Sequence, residues 1–168
     1  MHTTDMPSLN DPLESPSQLT WGKERVEFWP LASCTMPTYG RPNFVNESAA
    51  MFLANDYPAK ELVILNDCPD QEFLSSHLQI RVTNYPARFA TLGEKRNHCI
   101  QASAGTSIVV WDDDDVYFPW HLTRAIQSMR CHATPFYRPA EFLAYWGESY
   151  LHDNQAVPGW VNHSATTY

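Results

Sequence analysis

No stretch of the 168 residues holds the roughly 18 consecutive apolar side chains that a membrane-crossing helix needs. The first residues, MHTTDMPSLNDPLESPSQ, lack the positive flank and apolar core of a secretory signal. Glycine is scarce at six residues, and none cluster, so a glycine-rich phosphate loop has no material. Basic residues are outnumbered: 11 Lys and Arg face 19 Asp and Glu, for a net charge of −8. That balance disfavours general binding to nucleic acid or to anionic lipid. The four cysteines, 34, 68, 99 and 131, form no Cys-x-x-Cys pair and are expected as reduced packing thiols. A zinc site from Cys34, Cys68 and the His98–Cys99 or Cys131–His132 pairs is the weaker alternative. These absences leave a globular chain expected in the cytoplasm.

What is present is an alternation. Residues 1–20, with Pro7, Pro12 and Pro16 among polar residues, read as a flexible arm. Residues 28–36 (FWPLASCTM) read as a first buried strand, stopped by PTYGRP. A helix follows from an N-cap at Asn43, with Phe44, Ser48, Met51 and Phe52 on one face. Leu62 to Leu65 are apolar without alternation, as in a parallel strand covered on both faces. Residues 77–84 alternate and suit a strand nearer an edge. Residues 93–105 read as a helix closed by Gly105, and residues 107–111 as a fourth strand. A helix with Pro119 at its first position, a strand pair turning at Gly147 and a strand-like C-terminus complete the chain.

Strands alternating with helices imply an α/β fold with a mostly parallel central sheet flanked by helices. Ligands of such sheets bind outside the carboxyl ends of the strands. PTYGRP, NDCPD and DDDD each follow a strand, so the three polar loops are expected to line one crevice.

The four aspartates, Asp112 to Asp115, are the densest negative charge in the chain. Two carboxylates ~4 Å apart repel by roughly 4 kcal/mol at an effective dielectric of about 20. A divalent cation would relieve that cost. In extended backbone residues i and i+2 share a side, which points Asp112 and Asp114 into the crevice and turns Asp113 away. Mg²⁺ uses only one or two protein carboxylates and leaves room for phosphate oxygens. The plainer alternative is a solvated acidic loop ahead of Pro119.

Taken together, SCTMPTYGRP, YPAKELVILNDCPD, LGEKRN and AGTSIVVWDDDDVYFPWHL resemble the family 2 glycosyltransferases in order and spacing, from about Leu31 to Leu122. The resemblance implies a GT-A, Rossmann-like fold over residues 21–168. It implies a nucleotide-diphosphate sugar donor, expected to be a UDP-sugar, and transfer to an unknown acceptor with inversion. By position, it places Thr38 beside base and ribose; Tyr39 and Arg41 of the same loop are further candidates for nucleotide-sugar contact, with shaping the loop or packing as the plainer alternative. It gives Asp67 the base, Arg96 the nucleotide and Asp112 the ribose, with Asp113 beside it. Asp114, with Asp112, would hold Mn²⁺ or Mg²⁺, with His163 as an outlying metal candidate. Lys95 is an alternative to Arg96.

Two features depart from the family pattern. Asn66 stands where a first acidic residue is common. The segment carrying the general base that inversion requires is not matched before Tyr168, so the acceptor-side part is expected to be incomplete. Glu148 and Asp153 are the remaining base candidates. A nucleotide-sugar-binding module without turnover is the alternative function. A nucleotidyltransferase is a third reading, poorly served by the single glycine of PTYGRP.

Overall fold

The computed structural model describes residues 28–139 with their side chains, and the backbone of 19–21, 24–26, 141–145 and 149–153. The elements in chain order are β1 (Leu19–Trp21), β2 (Glu24–Val26), β3 (Ala32–Thr38), α1 (Pro42–Ala54), β4 (Lys60–Asn66), β5 (Ile80–Asn84), α2 (Leu92–Ala102), β6 (Ser107–Val110), α3 (His121–Cys131), β7 (Glu141–Tyr145) and β8 (Ser149–Asp153). The central sheet has the order β5-β4-β3-β6, and every pairing in it is parallel. β1 with β2, and β7 with β8, form separate antiparallel pairs.

The sheet explains the sequence pattern. All seven residues of β3 are buried, and six of the seven in β4. Central parallel strands are covered on both faces, so β4 reads as a continuous apolar run, whereas β3 buries Ser33 and Thr35 with their hydroxyls bonded to Glu61 and the Val109 carbonyl. β5 is only partly buried, as its alternation and edge position predict. α1 lays Val45, Ser48 and Phe52 onto the sheet. Phe52 meets Trp111 edge to face at 6.0 Å, and Trp111 stacks on Tyr117 at 3.8 Å. Full burial of each such large side chain stabilises the fold by about 1.5–3 kcal/mol.

Several boundaries differ from the sequence reading, among them the start of β5, at Ile80 rather than 77. β3 begins at Ala32 rather than Phe28, after Pro30, which lacks an N–H for the ladder. α1 takes Arg41 as N-cap and Pro42 in its first turn, not Asn43 as cap. α2 ends at Ser103, whose hydroxyl donates to the Cys99 carbonyl at 2.9 Å, so Gly105 is not its cap. Gly105 is there for space: a Cβ would stand 2.5 Å from the Leu31 carbonyl oxygen and 2.6 Å from Ser33 Oγ. α3 begins at His121 rather than at Pro119, whose carbonyl accepts from the Asp56 amide at 2.7 Å, beyond the end of α1.

Leu19 and Thr20, placed by the sequence in the arm, belong to β1, while residues 1–18 lie outside the described residues. So do Gly147, between β7 and β8, and the C-terminal residues 154–168. Among the described residues no helix is long and apolar enough to cross a membrane.

Candidate nucleotide-sugar site

From β3 the chain moves to β4 and β5 on one side, then returns to β6 on the other. That reversal leaves a crevice at the carboxyl ends of β3 and β6, the position where open α/β sheets bind ligands. Thr38 ends β3, Asn66 and Asp67 end β4, and Asp112 to Asp115 follow β6. The three loops therefore converge as the sequence predicts.

Past Val110 the aspartates form a turn, not an extended strand. Strand alternation does not apply there, and the expectation that Asp113 turns away is corrected. Asp113 is 2% exposed and is the most enclosed of the four. It accepts from Thr38 Oγ1 at 2.6 Å and from Arg41 Nε at 3.1 Å, with Arg41 Nη2 closing the pair. Arg41 Nη1 also bonds Asp114 Oδ2 at 2.8 Å. Arg96 Nη2 reaches both oxygens of Asp112 at 3.1 Å. The repulsion within the turn is thus relieved by two guanidiniums from the chain itself.

The surroundings set the charges. Burial pushes the Asp112 carboxyl above its usual range, and Arg96 opposes the shift. Burial pulls the Arg41 guanidinium down, but its hydrogen bond to Asp114 and the charges of Asp113 and Asp114 outweigh this and raise it. The turn is braced from behind. Its Asp112 carbonyl accepts from Ser48 Oγ at 3.3 Å, and its Asp112 amide donates to Tyr117 Oη at 2.7 Å.

Asp67 is also 2% exposed. One oxygen pairs with the buried Lys95 ammonium, and the other accepts from the Phe89 amide at 2.9 Å. Lys95 also donates to the Thr38 carbonyl. Asp67 thus acts as a post joining β4, α2 and the loop after β5, while it also lines the cleft beside Thr38. Each oxygen carries one hydrogen bond and keeps a lone pair for a further donor. Asn66 is buried too, its amide holding Cys68, Gln71 and Asn84.

Beside the turn lies a cleft of about 540 Å³. Thr38, Tyr39, Arg41, Asp67 and Lys95 line one part of it, and the 88–92 segment lines the rest. Arg88 lies over the Tyr39 ring at 4.5 Å. Gly40, at φ +60°, makes the turn that carries Tyr39 there, a backbone region open to glycine. Arg88 and Phe89 escaped the sequence reading. The rule applied to the loops after β3, β4 and β6 also covers the loop after β5, and applying it there would have found them.

A divalent cation can be accommodated by this arrangement. Among the described residues no group of three or more His, Cys, Asp or Glu stands ready for a metal. Two carboxylates suffice for Mg²⁺ when phosphates and waters supply the rest. Asp114 has a half-exposed side chain and its salt bridge is to the similarly open Arg41, a pairing a cation can displace at small cost. The cysteine–histidine zinc grouping is not assembled; Cys34 and Cys99 are buried as free thiols. Glu148 and His163 lie outside the described residues, and Asp153 is on β8, opposite Glu141.

This parallel sheet with its aspartate turn is the GT-A, Rossmann-like fold of glycosyltransferases. The profile of Glycosyl transferase family 2 matches residues 33–137, and the chain belongs to that family. Among solved structures it is similar to a mannosyltransferase from Pyrobaculum calidifontis in complex with GDP-Man and Mn²⁺. The identity is 17% and the TM-score 0.52, over 61% of this chain and 33% of that one. It is also similar to residues 1–349 of TarS from S. aureus in complex with UDP-GlcNAc. There the identity is 20% and the TM-score 0.54, over 63% of this chain and 33% of that one. The chain thus spans about a third of the length of these neighbours. No curated protein sequence matches it.

Proposed function

We propose that this chain binds a nucleotide-diphosphate sugar, a UDP-sugar by the family resemblance, and transfers the sugar to an acceptor hydroxyl with inversion. The observation that carries the reading is the convergence of Thr38, Arg41 and the aspartate turn beside a nucleotide-sized cleft. The base and ribose occupy the cleft, with Thr38 and Tyr39 as its wall. The diphosphate lies toward Asp112 and Asp114.

Asp114, aided by Asp112, would hold Mn²⁺ or Mg²⁺. When bound, that ion stabilises the negative charge that develops on the leaving diphosphate. Arg41 and Arg96 are positioned to share the same task as fixed positive charges. Asp113 keeps Arg41 at the β3 end of the crevice, and Thr38 keeps Asp113 there. The four free thiols support a reducing, cytoplasmic location.

Calorimetric titration with UDP, with and without Mn²⁺, tests the reading. Metal-dependent binding is expected, and no binding in either condition would overturn it. Donor hydrolysis then separates a transferase from a binding module: a chain that binds UDP but never releases sugar is the module.

A further inference from the structure

Asp112 and Asp114, the two carboxylates expected to hold the cation, each carry a guanidinium of the chain itself, Arg96 on Asp112 and Arg41 on Asp114. The two grips differ. Arg96 meets Asp112 through one nitrogen, Nη2. Arg41 bridges two neighbouring aspartates, and its two ends are unlike.

At one end, Nε and Nη2 face the two oxygens of Asp113, the side-on fork in which a guanidinium and a carboxylate match best. The Asp113 side chain is fully buried and also accepts from Thr38 Oγ1 at 2.6 Å. Breaking this end strands a buried carboxylate, which is strongly unfavourable. The guanidinium also lies over the Phe44 ring, 5.7 Å from its centroid. At the other end, Nη1 makes one bond to Asp114 at 2.8 Å, and both side chains there are close to half exposed. Such an exposed pair contributes little. Arg41 is thus anchored at Asp113 and exchangeable at Asp114.

The surroundings offer Nη1 another acceptor. Arg41 lines the cleft as well as bonding the turn. A diphosphate reaching from that cleft toward Asp112 and Asp114 has Arg41 beside it.

We propose that Arg41 is a pivot that exchanges partners: with no phosphate bound its Nη1 neutralises Asp114, and with a diphosphate bound Nη1 donates to a phosphate oxygen while Nε and Nη2 stay on Asp113. The inference rests on the nucleotide-sugar reading of this site. Its consequence is a change of sign. Without phosphate, Arg41 competes with a divalent cation for Asp114. Once a phosphate accepts from Nη1, Asp114 is released to the cation and the same arginine strengthens the complex. Removing Arg41 therefore helps the cation alone and harms the diphosphate.

The test uses the wild-type chain and the double variant Arg41→Gln/Asp113→Asn. That variant removes both charges of the buried pair together, so no carboxylate is stranded, and thermal unfolding checks that it folds. Electron paramagnetic resonance follows titration with Mn²⁺ alone. Calorimetry in saturating Mn²⁺ follows UDP, inorganic pyrophosphate and uridine. Mn²⁺ alone should bind the variant about two- to fivefold tighter, the worth of an exposed ion pair. UDP and pyrophosphate should bind it about tenfold weaker or more, because a charge-assisted hydrogen bond is lost. Uridine, which has no phosphate, should be unchanged. Should the double variant fail to fold, Arg41→Lys serves: it keeps a charge for Asp113 but lacks the fork that reaches Asp114 as well, and both shifts should appear at smaller size. Mn²⁺ alone binding no tighter than in the wild type overturns the proposal, and so does unchanged affinity for UDP and pyrophosphate. A wild type that binds neither UDP nor pyrophosphate in Mn²⁺ overturns this proposal and the reading beneath it. A wild type that binds UDP, with variant shifts of one sign, sinks only the pivot and leaves the donor site intact.

Discussion

Lys95 ties the carboxylate of Asp67 to the carbonyl of Thr38, joining the ends of two neighbouring strands through one buried ammonium. The side chains are 7% and 3% exposed, so neither charge has solvent to fall back on. Lys95→Met should destabilise the fold by roughly 3–5 kcal/mol, the usual result of stranding one member of a buried pair. Urea unfolding measures this. Adding Asp67→Leu to that variant should recover part of the loss, because the stranded charge is gone. A single variant as stable as wild type would show that the pair is not the brace described above.

Asp114→Asn should abolish the Mn²⁺ dependence of UDP binding while changing stability by less than about 0.5 kcal/mol, since its side chain is half exposed. Parallel calorimetry and thermal unfolding separate the two effects. Metal-dependent affinity that persists unchanged would remove Asp114 from the cation's ligands.

Partly buried His121 sets a pH limit. It packs edge to face on Trp111 and Tyr117, and its Nε2 has no hydrogen-bond partner among the described residues. Burial lowers its pKa from 6.5 to about 4. At pH 7 and above both folded and unfolded states are neutral there. Below 6.5 the unfolded chain takes up a proton that the folded chain refuses until about 4. Stability therefore falls as pH drops through that window, by about 3 kcal/mol in full. His121→Phe should flatten that part of the stability profile measured by denaturant titration. An unchanged slope would refute the assignment.

Gly105→Ala should cost roughly 2 kcal/mol or more. The new methyl would meet the Leu31 carbonyl and the Ser33 amide, which are backbone and cannot swing aside. Unfolding measurements should show the loss without a change in nucleotide affinity per folded molecule.

The parallel sheet was legible because β4 is central and buried on both faces, which writes LVIL as an unbroken apolar run. The converging loops followed from that sheet, since strand ends fix where loops emerge. Boundaries were less legible. Pro30 and Pro42 act through their own backbone, whereas contacts far along the chain decided the roles of Gly105, against the Leu31 carbonyl, and Pro119, bonded to the Asp56 amide.

The site divides in the same way. Sequence alone determined that acidic, basic and hydroxyl side chains would gather at the carboxyl ends of β3, β4 and β6, because periodicity and chain order dictate that much. Only the tertiary structure decided the pairings: Asp113 inward onto Thr38 and Arg41, Asp67 joined to Lys95 and the Phe89 amide, and Arg88 laid over the Tyr39 ring. Ion pairing depends on distances between residues far apart in the chain, which no local pattern encodes, and one turn after Val110 reversed the alternation that an extended strand would have imposed.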